Sequence, residues 1–137
     1  MTQWAQSLIR ISGYEVETLQ KRLAEIATRR ATAEMRLAVL DAERELETDH
    51  ARADASQRGL LEAYLDGWKI RKDSAATELR AMEMEEEGAR DALMSAFEEL
   101  KKFEHVAEVT RLNELAALAR RESAAMDEQA ILRAARA

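Results

Sequence analysis

The residues best equipped for chemistry are the acids Glu83, Glu85, Glu86, Glu87 and Asp91, the densest carboxylate run in the chain. Glu83 and Glu87 are four residues apart and share one face of a helix, where a pair of carboxylates can hold a hard cation or divide acid and base work between them. Neither role is expected here. Nothing in the sequence encloses the run in a pocket, no histidine stands at metal-ligand spacing from it, and a run of acids on a long helix is ordinarily a solvated face. His50 and His105 are isolated from each other and from the acids. There is no glycine-rich phosphate loop, no histidine–glutamate zinc pattern, no cysteine nucleophile and no serine in an elbow context. The chain is expected to be a non-enzyme, with no catalytic residue, no metal and no cofactor.

The composition says what kind of element carries these residues. Of 137 residues, 35% are charged and only 4% aromatic, and alanine makes up much of the 47% that is hydrophobic. Alanine buries little area per residue, so a broad globular core is not on offer. There is no proline and there are only four glycines, too little turn punctuation for an α/β or all-β fold. Long uninterrupted helices follow. The formal charge of −6, with both signs interspersed, gives no basic footprint for nucleic acid or an anionic membrane. The start lacks a basic region followed by a sustained apolar core, and no run is long enough to cross a bilayer. Together with the absence of cysteine, this predicts a soluble cytoplasmic protein without direct membrane insertion.

Hydrophobic spacing then sets the architecture. In the stretch 92–107 the large residues Leu93, Phe97, Leu100 and Phe103 recur every three or four positions between charged ones. That makes a narrow helical stripe, suited to a seam against a second helix. The first third supplies the partner. Ile9, Val16, Leu23 and Leu37 fall at one heptad position, and Leu19, Ile26, Ala33 and Leu40 at the other. Arg30 interrupts this seam, and Arg44, Glu47 and Asp54 thin it toward the far end. The facing set is Trp68, Ala75, Leu79, Met82, Ala89, Leu93, Ala96, Leu100, Phe103 and Ala107, with Lys72 and Glu86 as polar layers. The fold class is therefore all-α, two long helices forming an antiparallel coiled-coil hairpin in a single domain over 1–137. Glu17 with Lys21 and Glu25 with Arg29 are i,i+4 pairs, each worth about 0.2–0.5 kcal/mol to the outer face.

The first arm is expected over about 4–56, the turn or tip over 56–68 and the second arm over 68–132. Gly59 and Gly67 bracket Leu60, Leu61, Tyr64, Leu65 and Trp68, and both glycines are candidates for positive φ. A short helix from Leu60 to Leu65 between them reconciles the two turn positions. Leu61, Tyr64, Leu65 and Trp68 then form an apolar tip, read either as a cap on the seam or as a docking patch. Past Phe103 the residues Val106, Val109, Leu112 and Leu115 come every third position, so the stripe is expected to rotate and the seam to drift. Leu118, Met126, Ile131 and Leu132 lie in a tail that has no facing arm if the turn is near Gly59. Such a tail is either frayed or reserved for another protein.

Three features resemble the FliJ family of flagellar export proteins, which includes the YscO-type proteins of related secretion systems. They are the charged heptad arm from Leu8 to Leu40, the stretch Phe97-Glu98-Glu99-Leu100-Lys101-Lys102-Phe103-Glu104, and the tail motif Met126-Asp127-Glu128. The acidic segment from Glu83 to Gly88 and the short alanine-rich end after Glu128 depart from the pattern. The resemblance implies a coiled-coil component of the flagellar type III export apparatus, located in the cytoplasm at the inner membrane beneath the flagellum. It would resemble the stalk of a rotary ATPase, inserting into the export ATPase hexamer and linking it to the cytoplasmic domain of the export gate membrane protein and to export chaperones. Met126, Asp127 and Glu128 are its candidate partner-binding residues beside the tip. An arm of about 50 residues at 1.5 Å each is roughly 75 Å long, enough to reach through a ring. The rival readings are a stand-alone structural or chaperone-like coiled coil that self-associates through its thin seam, and a cation binder on the acidic face.

Overall fold

The computed structural model describes residues 3–137; the first two residues of the domain expected over 1–137 lie outside them. The fold is all-α, two long helices packed as an antiparallel hairpin. Helix α1 runs Gln3–Ala53 and helix α2 runs Arg58–Arg136, with a single 3-10 turn at Ala55–Gln57 between them. No strand occurs among the described residues.

The reversal is made by an acid rather than by glycine. Asp54 leaves the helix in an extended conformation, φ −131° and ψ 108°. Its Oδ1 accepts the Ser56 backbone N–H at 3.0 Å and the Ser56 hydroxyl at 2.7 Å. Its own N–H still reaches the His50 carbonyl at 3.1 Å, closing α1. The Asp54 carboxylate thus satisfies donors that a helix start leaves open. Gly59 and Gly67 both lie inside α2, and no glycine among the described residues has a positive φ. The chain therefore turns before the expected bracket, and Leu60–Leu65 is the opening of α2 instead of a separate short helix. A capped Asp-x-Ser corner needs no left-handed residue, so the glycines carry no turn.

The chain divides into two compact units. Thr18–Leu93 contains the reversal, and its cross-arm contacts run in opposite chain order: Arg30 meets Glu86, Arg36 meets Glu78, and Asp41 meets Lys72. Ile26, at 2% exposure, is the largest fully buried side chain. Leu19, Leu23, Leu37 and Leu40 from α1 are half-buried, as are Leu79, Met82 and Leu93 from α2. Ala33, Ala75 and Ala89 are buried between them.

The other unit joins the residues up to Glu17 with Met94–Ala137. Ala5, Ser12 and Val16 are buried from α1, with Ala96 and Ala107 from α2. Leu100 and Phe103 are half-buried, whereas Phe97 is 38% exposed and Ala96 takes the seam place beside it. The expected drift past Phe103 does not occur. The seam keeps its heptad through Ala107, Thr110 and Ala117, while Val106, Val109, Leu112 and Leu115 stay exposed. A spacing of three falls short of a full turn, so those four residues spiral around α2 and no single neighbour can cover them. From Leu118 to Ala137 every residue is exposed.

Candidate partner-binding surfaces

The acidic run splits according to helical phase. Glu83, Glu85, Glu87 and Asp91 are exposed on α2, and Glu86 alone turns into the seam. No group of three or more His, Cys, Asp or Glu side chains is placed to hold a metal among the described residues. The Glu86 carboxylate accepts Arg30 Nε from across the hairpin and Arg90 Nη2, one turn along α2, at 2.5 Å. Arg30 also donates through Nη1 to Glu34 at 2.7 Å. Hydrogen bonding to Glu86 first, and then to Glu34, raises the Arg30 guanidinium above its ordinary pKa. Among the described residues the intrahelical pairs include Arg30–Glu34, Glu86–Arg90, Glu108–Arg111 and Asp49–Arg52, and the expected Glu17–Lys21 and Glu25–Arg29 pairs are not found there. Arg111 holds the Glu108 carboxyl below its usual range by a two-pronged hydrogen bond.

Of the tip residues, Leu61, Tyr64 and Leu65 are half-buried and Trp68 is only 4% exposed. The Trp68 indole N–H donates to the Leu40 carbonyl at 2.7 Å. The Arg44 guanidinium and the Lys72 ammonium each stand 4.8 Å from the Trp68 ring centroid. The ring is thus occupied by the hairpin itself, as a cap on the seam. Arg71 lies 5.6 Å over the Tyr64 ring. Leu60, one position off the seam stripe, is the residue of this cluster that faces out, at 72% exposure.

Among the described residues, two surfaces with clustered exposed apolar side chains are candidates for a partner. One is a shallow groove of about 640 Å³ floored by Leu40 and Ala75 and walled by Met35, Val39 and Ile70. Met35, Val39 and Ile70 are 68%, 49% and 72% exposed. Sequence reasoning centred on the seam passed these residues over, although Met35, Val39 and Leu46 keep a four-and-seven spacing of their own on α1. The other is the end of α2. Met126 is 70% exposed, Ile131 68% and Leu132 54%, and Asp127 and Glu128 are exposed beside them.

A family model described as "Flagellar FliJ protein" matches residues 5–137. Two curated relatives, each named "Flagellar FliJ protein", come from Caulobacter vibrioides strains NA1000 / CB15N and ATCC 19089 / CIP 103742 / CB 15. Each is 51% identical to this chain over 135 residues, spanning 98% of this chain and 97% of the relative. No solved structure matches the chain.

Proposed function

The chain belongs to the flagellar FliJ protein family, and from that premise we propose that it works as a non-enzymatic stalk and adaptor of flagellar type III export. In this reading it engages the export ATPase hexamer and connects it with the cytoplasmic domain of the export gate and with export chaperones. The observation that carries the proposal is the unequal length of the arms. Helix α2 has 79 residues against 51 in α1, and no residue after Ala117 is even half-buried. The part of α2 beyond Ala117, bare on all sides and studded with Met126, Ile131 and Leu132, gains stability by being surrounded by other chains. The spiral of Val106, Val109, Leu112 and Leu115 supports the same idea, because a helix that is apolar on several faces suits an encircling partner better than a flat one. Met126, Asp127 and Glu128 are the proposed contacts on the tail, and Leu61, Tyr64 and Leu65 those at the tip, where Trp68 is already covered by the hairpin itself.

No helix among the described residues is long and apolar enough to cross a membrane. The proposed site of action is the cytoplasmic side of the inner membrane at the flagellar base. With a net charge of −6, nucleic acid is not proposed as a partner. Mixing the full-length chain with the cognate export ATPase tests the reading. Copurification with altered ATPase oligomerisation or turnover is expected, and unchanged oligomerisation and turnover would sink it.

The groove walled by Met35, Val39 and Ile70 favours one rival, a self-associating structural or chaperone-like coiled coil. Light scattering separates the two. A stable tetramer in which the tip is protected favours self-association, and a monomer favours the adaptor.

A further inference from the structure

Heptad seams are poor at fixing alignment, because a slide of seven residues sets leucine against leucine again. In Thr18–Leu93 the α1 seam offers Leu19, Leu23, Ile26, Ala33, Leu37 and Leu40, and the α2 seam offers Ala75, Leu79, Met82, Ala89 and Leu93. Most of these residues meet a similar neighbour after such a slide. The tight corner at Asp54 does not hold the alignment by itself. From Asp41 to Leu60 only Thr48 and Ala51 are less than exposed, so unwinding a turn there sacrifices little packing. The Trp68 hydrogen bond is made to a backbone carbonyl, a group that every residue presents.

One layer differs. The Glu86 side chain is 5% exposed in the seam, and its carboxylate is held by Arg30 from α1 and by Arg90 from α2. A charge taken out of water in this way seldom adds net stability over apolar side chains of similar size, but leaving it without its partner is severe. A heptad slide moves Arg30 about 10 Å along the axis from Glu86 and sets Leu23 or Leu37 opposite the carboxylate, which then keeps only Arg90 from its own helix. We propose that the Arg30–Glu86–Arg90 layer is the register-determining element of the hairpin, selecting one alignment of the two arms from those that differ by a heptad. Single polar residues at seam positions are known to act on alignment at a cost in stability.

The chain has no cysteine, so two can be introduced without background. Nitroxide labels at the exposed positions Thr28→Cys and Glu83→Cys report interspin distance in the full-length protein. The parent is expected to give one narrow distance. Arg30→Leu with Glu86→Leu is expected to keep its helicity, melt at the same temperature or higher, and add a second distance population. Replacing the exposed cross-arm pair, Arg36→Ala with Glu78→Ala, is expected to leave a single distance. The proposal is overturned if the double-leucine protein keeps one distance, if it melts well below the parent, or if the Arg36 and Glu78 control splits the distance in the same way.

Discussion

Trp68 on α2 donates its indole N–H to the backbone carbonyl of Leu40 on α1 at 2.7 Å, a side chain of one arm bonded to the main chain of the other. The residue is 4% exposed, and Arg44 and Lys72 pack on its ring. Toward the corner the seam positions Arg44 and Glu47 are exposed, Ala51 is buried and Leu61, Tyr64 and Leu65 are half-covered, so Trp68 is the large buried side chain nearest the corner. Trp68→Ala should destabilise the protein by about 3–5 kcal/mol. Trp68→Phe, which loses the donor and keeps most of the ring, should cost only about 1 kcal/mol. Urea unfolding followed by circular dichroism checks both. Equal losses would mean that ring area is irrelevant and the bond is everything.

Ile26 tests the seam in the same unit. It is buried to 2%, in a hairpin whose other large seam residues are mostly half-covered. Ile26→Ala should cost about 2–5 kcal/mol. Val39→Ala, on the outer stripe of the same helix at 49% exposure, should stay within about 0.5 kcal/mol of the parent. Paired thermal melts decide this, and a Val39 effect as large as that of Ile26 would mean that the groove is covered in solution.

The seam was legible in the sequence because both arms repeat it strictly. Ile26, Ala33, Ala75, Ala89 and Ala96 are buried at seven-residue steps, and Glu86 is buried because it occupies such a step despite its charge. The corner was not legible. Glycine signals a turn only where positive φ is needed, and the capped Asp54–Ser56 corner uses none. Size puts Phe97 in the stripe of large residues, but phase decides burial, and the buried place is that of Ala96, which the facing set read from the sequence already holds. Outer apolar residues such as Met35 and Ile70 have no facing stripe in the chain, so spacing alone could not say that they line a groove.

Gly67 lies inside α2, and a Cβ built on it meets nothing within 4 Å. Its φ is not positive, so an L side chain fits without strain. Gly67→Ala should therefore stabilise the protein by about 1 kcal/mol, through the smaller entropy lost on forming helix. A higher melting temperature with an unchanged circular dichroism spectrum is the expected outcome. A lower one would place Gly67 at a contact outside the hairpin.

The corner should carry an acid limb. The Ser56 hydroxyl and backbone N–H hold the Asp54 carboxyl below its ordinary pKa. A carboxyl depressed on folding adds stability that is fully present above its unfolded value, near 4, and is lost as pH falls through the lower folded value. The opening of the corner, read from amide exchange at residues 54–58 relative to the intrinsic rate at each pH, should increase below about pH 4 in the parent. In Asp54→Asn, which keeps an acceptor but does not titrate, it should be flat over that window. The readout must be local, because Glu108 is also depressed by Arg111 and would contribute an acid limb to any global melt.

The tail separates folding from function. Met126 and Ile131 are 70% and 68% exposed on a stretch where no residue is buried. Met126→Ser with Ile131→Ser should leave the melting temperature within about 4 °C of the parent, since surface replacements rarely exceed about 0.5 kcal/mol each. If the tail is gripped by the export ATPase, the same substitutions should weaken copurification and reduce the effect of this chain on ATPase turnover. Stability and partner engagement then respond independently, which a self-associating coiled coil does not allow: there the apolar tail would be buried between copies, and its loss would lower the melting temperature in a concentration-dependent way. A concentration-dependent drop with unchanged ATPase engagement would transfer the tail from the adaptor reading to self-association.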